Sequence, residues 1–333
     1  MNISKITDIK TVQRIVELIN GSRNNLVLSH QNPDGDTLGS MIAFGKILSG
    51  LGHDVDFVVS DPVPEVYKFL PYSEKVKQPE SSSLKGKYDV AFSFDCGSVK
   101  RLGRAQGLWG NAETKVNIDH HISNEKFGTV NWIEADATST GQMVYWLARE
   151  MKVNITPEIA TLLYTTLLTD TMCFSNSNTN AEALKWAGEL VERGADHLSV
   201  YRKVFLEKPL KMMKIFAVGI NNIELIENGE IAWTYVRKAD MDRFGATSED
   251  TEDIVDYVMR VKGVKIGIFF REDNGETKVS LRSNTSFDVS KVAASFGGGG
   301  HKRAAGINVK KSFEETKIIL IQRVIDEYRK EKK

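Results

Sequence analysis

Four short apolar runs, NLVLSH (25–30), HDVDFVVS (53–60), YDVAFSF (88–94) and TKVNI (114–118), most constrain what this chain can fold into. They are separated by segments with helical periodicity, including 8–20 (with Gly21 placed as a C-terminal cap) and about 37–51. Short buried strands alternating with helices predict βαβ units and a parallel sheet. Three of the runs stop at a polar cluster: His30-Gln-Asn-Pro-Asp34-Gly-Asp36, Asp95, and Asp119-His120-His121. The carboxyl ends of parallel strands lie side by side, and open α/β sheets bind ligands there. Residues distant in sequence are thus expected to converge.

Helical stripes dominate from about 138 to 225, in TGQMVYWLARE, PEIATLLYTTLL and AEALKWAGELV. The last third differs. IELIENGEIAWTYV and IGIFFREDNGETKVSLR each carry Asn-Gly between strand-like runs, the dipeptide that supplies the positive φ angles of a tight hairpin. With helices at about 249–260, 288–296 and 311–330, this predicts a separate α+β domain. The expected architecture is α/β, an N-terminal parallel-sheet domain with helices on both faces (1–195), a helical linker (196–225) and a smaller α+β domain (226–333).

The 333 residues carry 44 basic and 44 acidic side chains. That balance disfavours sequence-independent binding of long duplex nucleic acid, which needs a basic surface, but permits short phosphate ligands held by local cations. No apolar run approaches the ~20 residues of a membrane span, and the N-terminus has no apolar signal core. The two cysteines, Cys96 and Cys173, form no metal or disulfide pattern. The expectation is a cytoplasmic protein with free thiols and no membrane contact.

One imidazole and two carboxylates in HQNPDGD suit a divalent cation; hard cations favour the oxygens, and imidazole moves the preference toward Mn²⁺ or Fe²⁺. The same aspartates could instead cap the following helix. Asp95 precedes Gly97 and could be a turn residue. His120 and His121 are adjacent and point apart, so both rarely serve one metal: one could ligate and the other touch substrate, whereas a structural or exposed pair is the plainer reading. Asp170 ends an apolar helical run, where an unpaired carboxylate costs several kcal/mol; bonding to the Thr169 or Thr171 hydroxyls is the alternative. Arg101 follows Asp95 at short range and could meet a phosphate. Gly297–Gly300, followed by His301, Lys302 and Arg303, offers exposed backbone N–H groups and positive charge to a phosphate, with Gly298, Gly299, Gly300, His301 and Arg303 as candidates; a flexible turn is the plainer reading. Arg282, in VSLRS, is a further phosphate candidate. His53 and His197 have no ligand pattern around them, and Trp132, Tyr145 and Trp146 read mainly as core.

HQNPDGDTLGS, FDCGS..RLG, DHH, LLTDT..F and GGGGHKRAAG occur in this order between residues 30 and 306. The set resembles the DHH phosphoesterase superfamily with its associated C-terminal substrate domain. Within it the chain is similar to the nanoRNase/pAp-phosphatase type, which includes stand-alone cyclic-di-AMP and pApA phosphodiesterases (pAp is 3′-phosphoadenosine 5′-phosphate). The resemblance implies two divalent ions, Mn²⁺ first with Fe²⁺, Co²⁺ or Mg²⁺ as alternatives. His30, Asp34 and Asp95 would hold one, and Asp36, Asp95, His120 and Asp170 the other, with Asp95 bridging. It implies that Asp119 orients its neighbours, that His121 contacts the scissile phosphate, and that Arg282 and His301 bind substrate phosphate or base. It further implies a dinucleotide or cyclic dinucleotide substrate and a homodimer.

Overall fold

The computed structural model describes residues 8–332, which divide into two compact units between Glu207 and Lys208. In chain order the first unit contains α1 (Ile9–Gly21), β1 (Asn24–Ser29), α2 (Gly35–Gly50), β2 (Asp54–Val58), β3 (Val76–Lys77), β4 (Tyr88–Phe94), α3 (Gln106–Gly110), β5 (Ala112–Asp119), β6 (Val130–Ile133), α4 (Thr140–Glu150), α5 (Pro157–Asp170), α6 (Ala181–Glu192) and α7 (His197–Tyr201). The second contains α8 (Leu210–Asn221), β7 (Glu224–Ile226), β8 (Ile231–Val236), α9 (Lys238–Phe244), α10 (Ile254–Val258), β9 (Ile266–Asp273), β10 (Glu276–Ser283), α11 (Val289–Ser295), β11 (Gly299–His301), β12 (Ala304–Val309) and α12 (Phe313–Glu331). No helix among the described residues is long and apolar enough to cross a membrane.

The first sheet runs β3-β2-β1-β4-β5-β6, parallel throughout. Both its faces are covered, which explains runs such as NLVLS with no polar alternation. Val27, Phe92 and Phe94 pack with α1, α2, α4 and α5. Leu26, Leu28 and Ala91 face the other way, onto Leu102 and Trp109. The order reverses between β2 and β4 around β1, so the loops after β1 and β4 open a crevice at their carboxyl ends.

Glycine decides how closely α2, α4 and α5 approach. A Cβ on Gly39 would lie 2.7 Å from the Leu162 carbonyl oxygen and 2.5 Å from Thr166 Cγ2. One on Gly141 would lie 2.0 Å from Thr166 Oγ1, and one on Gly35 2.4 Å from Thr169 Cγ2. These contacts draw the end of α5, and with it Asp170, against the start of α2. Although alanine is the better helix former by about 1 kcal/mol, Gly39→Ala is expected to destabilise the first unit by about 1–3 kcal/mol through overpacking. Urea denaturation measures this, and an unchanged midpoint would refute the close-packing account.

The second sheet runs β11-β12-β10-β9-β8-β7. Asn228 and Gly229 (φ 58° and 82°) and Asn274 and Gly275 (φ 38° and 83°) turn the two anticipated hairpins. The sheet is mixed, however: β8 and β9 pair in parallel because α9 and α10 form the crossover between them. Residues 196–225 are not one free-standing linker. Val200 and Val204 pack into the first core, whereas Ile215 and Phe216 pack with Val236 and Phe269 of the second. Gly21 is the last residue of α1, and Ser22 caps it through its own N–H to the Ile19 carbonyl.

Candidate metal centre

β1 ends at Ser29, and His30 follows it, 3% exposed. Its Nδ1 lies 2.7 Å from the Gln31 carbonyl oxygen. A carbonyl only accepts, so Nδ1 carries the proton and Nε2 presents a lone pair. That Nε2 is 3.5 Å from Asp95 Oδ2. The Thr37 hydroxyl sits between them, 2.6 Å from Nε2 and 2.9 Å from Oδ2. Asp34 caps α2, accepting from Thr37 N, so the capping role weighed above is real. It is also an exposed carboxylate whose oxygen joins His30 and Asp95: ligand atoms of the three lie within 4.8 Å of one another.

Asp36 lies in the first turn of α2, 2% exposed. It accepts from Thr140 N (2.8 Å) and Gly141 N (3.1 Å), the first N–H groups of α4. His120 repeats the logic of His30. Its Nδ1 faces the Ala137 carbonyl oxygen at 3.2 Å. Its Nε2 faces Asp36 Oδ2 at 3.7 Å, Asp95 Oδ1 at 3.7 Å and Asp170 Oδ2 at 3.9 Å. A lone pair surrounded by acceptors at these distances has no proton to share with them; a positive ion satisfies all four atoms. Asp36, His120 and Asp170 form a second group of mutually close ligand atoms, and Asp95, His120 and His121 a third, so Asp95 belongs to two of the three.

Asp95 follows β4 directly, 3% exposed, with φ 52°. Aspartate tolerates this left-handed region better than most residues, and such conformations concentrate at functional sites. Asp119 ends β5, fully buried. Its Oδ1 accepts from His120 N (2.8 Å), His121 N (3.2 Å) and His121 Nδ1 (2.7 Å), and its Oδ2 accepts from Asn124 Nδ2 (2.5 Å). Its oxygens are spent on orienting the two histidines. His121 Nδ1 is also 3.4 Å from Asp95 Oδ1.

The electrostatics follow from this crowding. Burial, then the charges of Asp95, Asp170 and Asp34, push Asp36 well above the usual carboxylate range. Burial also pushes Asp170 up to about 6, against the charge of His120. Burial acts the same way on Asp95, but in the cation-free protein a doubly protonated His30 donating to it, and the charges of protonated His120 and His121, outweigh that burial and hold the group low. The Asp119 hydrogen bond lifts His121 to about 9. Buried carboxylates that raise one another's pKa are destabilised as a set, and divalent cations relieve that repulsion. The donor set, imidazole nitrogens among crowded carboxylates, therefore fits divalent cations.

Residues 24–167 match the DHH family, N-terminal domain, and residues 228–331 match the DHHA1 domain. The chain belongs to the DHH family. The Thermus thermophilus bifunctional oligoribonuclease and PAP phosphatase NrnA is 29% identical, over 85% of this chain and 83% of its own. The Bacillus subtilis protein of the same name is 27% identical, over 87% and 90%. The crystal structure of an exopolyphosphatase-related protein from Bacteroides fragilis superposes with TM-score 0.85 at 25% identity, covering 96% of each chain.

In the DHHA1 domain, Arg282 pairs through Nε with Asp256 Oδ1 at 2.9 Å. His301 is exposed on β11, opposite Ala304, and Arg303 is exposed in the turn that follows. The glycines have separate reasons. A Cβ on Gly298 would lie 2.3 Å from Gly306 O; Gly300 has φ 142° and would meet Ala304 O at 2.5 Å. Both are required by β12, and the segment is a hairpin strand, not a loose turn. Gly299 alone of the three has open space around it.

Around the DHH-domain cluster, Arg101 is exposed and its charge acts on both His30 and His121. Cys96 is buried, its thiol pushed up to about 12 by that burial, which leaves no nucleophile there. Sequence reasoning missed Thr37, Thr140, Asn124 and Asn178. Thr140 Oγ1 reaches Asp95 Oδ1 at 3.4 Å, and Asn178 Nδ2 donates to Asp170 Oδ2 at 3.0 Å. Thr37 lies three residues after Asp34, inside the motif itself. The two asparagines are isolated loop residues with no signal of their own.

Proposed function

We propose that the protein is a phosphodiesterase of very short oligonucleotides such as pApA, releasing 5′-mononucleotides. The observation that carries this reading is a pair of ligand groups, His30-Asp34-Asp95 and Asp36-His120-Asp170, linked by the 3.7 Å approach of Asp95 Oδ1 to His120 Nε2 at the carboxyl edge of the sheet. The names of the NrnA relatives support the substrate class. The same names favour a second activity, removal of the 3′-phosphate of pAp to give AMP.

On this reading His30, Asp34 and Asp95 hold one divalent cation, and Asp36, Asp95, His120 and Asp170 the other, with Mn²⁺ the first candidate. Such ions supply Lewis acidity, acidifying water and neutralising phosphoryl charge. The protein's part is orientation. Gln31 and Ala137 fix the ligating tautomers of His30 and His120. Asp119 anchors His121 through Nδ1, leaving Nε2 to donate to the scissile phosphate and then to the leaving oxygen. Arg101 adds a cation for the phosphate. In the DHHA1 domain, Arg282, His301 and Arg303 are the candidate contacts to substrate phosphate or base.

Turnover of pApA, cyclic-di-AMP, longer oligoribonucleotides and pAp, measured side by side with Mn²⁺, tests the reading. Fastest turnover is expected on pApA and the shortest oligonucleotides. Activity on pAp alone would replace the diesterase reading with the monoesterase one. The Thr37 hydroxyl holds His30 and Asp95 in register, so Thr37→Val is expected to weaken cation binding about tenfold while Thr37→Ser retains it. Titration calorimetry with Mn²⁺ decides, and unchanged affinity in the valine variant would remove Thr37 from the account.

A further inference from the structure

Two large apolar side chains stand in solvent beside the ligand cluster. Ile122, immediately after His121, is 89% exposed, more than any other large apolar side chain among the described residues. Met172, two residues after Asp170, is 54% exposed. Both lie in loops that leave the ligand-bearing ends of their elements, β5 and α5, and those ends converge: Asp170 Oδ2 is 3.9 Å from Nε2 of His120.

Met172 is also held in place at a cost. Met172, Cys173 and Phe174 have φ of 46°, 55° and 64°, three consecutive side-chain-bearing residues in the left-handed region. L-residues visit that region singly, because Cβ crowds the following carbonyl. The turn persists because it is tied down: Met172 N donates to Thr169 O, Cys173 N to Leu168 O and Phe174 N to Thr171 Oγ1. Cys173 and Phe174 pack on the first core, and Met172 is left facing outward. Ile122 lies in a turn closed by Asn124 N on His121 O at 3.1 Å.

Resting on the nucleotide reading above, we infer that Ile122 and Met172 form an apolar lip that receives the planar base of the nucleotide whose phosphate lies at the ligand cluster. An aromatic ring buries both side chains, and a thioether contacts ring edges favourably. A bare sugar phosphate gains nothing from them. The lip would therefore set a preference for base-bearing phosphates without touching the reacting atoms.

Binding decides this independently of turnover. Calorimetry with Mn²⁺ present compares AMP with ribose 5-phosphate on the wild-type protein, on Ile122→Thr, and on Met172→Asn, asparagine being chosen because it keeps the left-handed turn. The wild type is expected to bind AMP the tighter. The combined Ile122→Thr/Met172→Asn protein is expected to lose about tenfold in AMP affinity, with ribose 5-phosphate and Mn²⁺ affinities unchanged, and Ile122→Leu is expected to retain AMP binding. Equal binding of the two ligands by the wild type, or equal loss of both in the variants, would overturn the lip. Failure of the phosphodiesterase reading would register separately, as absent turnover of pApA with the AMP preference intact.

Discussion

Asp95→Asn is expected to lower Mn²⁺-dependent hydrolysis by on the order of a thousandfold or more while the far-UV circular dichroism stays unchanged. Asparagine is the informative replacement. It is nearly isosteric and tolerates the left-handed backbone at this position (φ 52°), so the loop after β4 keeps its path. What disappears is charge. Asp95 is the carboxylate common to two of the ligand groups, and the imidazoles of His30, His120 and His121 all act on it. Without it neither proposed cation keeps its shared ligand, and the water and phosphate they would position lose both. Turnover within tenfold of wild type would eliminate the two-cation reading.

The second large effect is thermal. Adding Mn²⁺ to about a hundred times its dissociation constant is expected to stabilise the first unit by about 2.7 kcal/mol. For a unit of this size that is a rise in Tm of roughly 5–10 °C, reversed by a chelator. The physical source is the mutual repulsion of Asp36, Asp95, Asp170 and Asp34, two of which are driven above their ordinary pKa by burial and by one another. The cation replaces that repulsion with attraction. Differential scanning fluorimetry with Mn²⁺, Mg²⁺ and Co²⁺ reads it directly. Absence of any shift, or a shift of the same size in Asp95→Asn, would show that the cluster is not where the ions bind.

Much of this was legible in the chain, for reasons that differ by element. YDVAFSF is a strand over the residues anticipated, because a buried parallel strand is an uninterrupted apolar run. TGQMVYWLARE and the helix beginning at Pro157 are bounded by Ser139 and Thr156, whose side chains cap them. β3, β6, β11 and β12 were missed. The first three are two to four residues long, and β11 is Gly-Gly-His, so pairing with a neighbour makes them strands and local preference does not; β12 begins Ala-Ala-Gly, which carries no strand preference of its own. The parallel β8–β9 pairing was missed for a related reason. The Asn-Gly signals mark hairpins, but nothing local says that the chain between the hairpins crosses over.

The ligand inventory was written in the sequence, since strand ends followed by Asp and His are a linear pattern. Which atoms of those residues face one another was not. The Gln31 and Ala137 carbonyls set the ring nitrogens of His30 and His120, the first N–H groups of α4 seize Asp36, and Gly35, Gly39 and Gly141 let α5 bring Asp170 within reach. The sequence by itself determined the fold class and the chemical types available at the sheet's edge, because periodicity and residue chemistry are local. The tertiary structure alone decided their tautomers, their charges and their spacing, because hydrogen bonds to distant carbonyls, burial and helix–helix approach exist only once the chain has closed on itself.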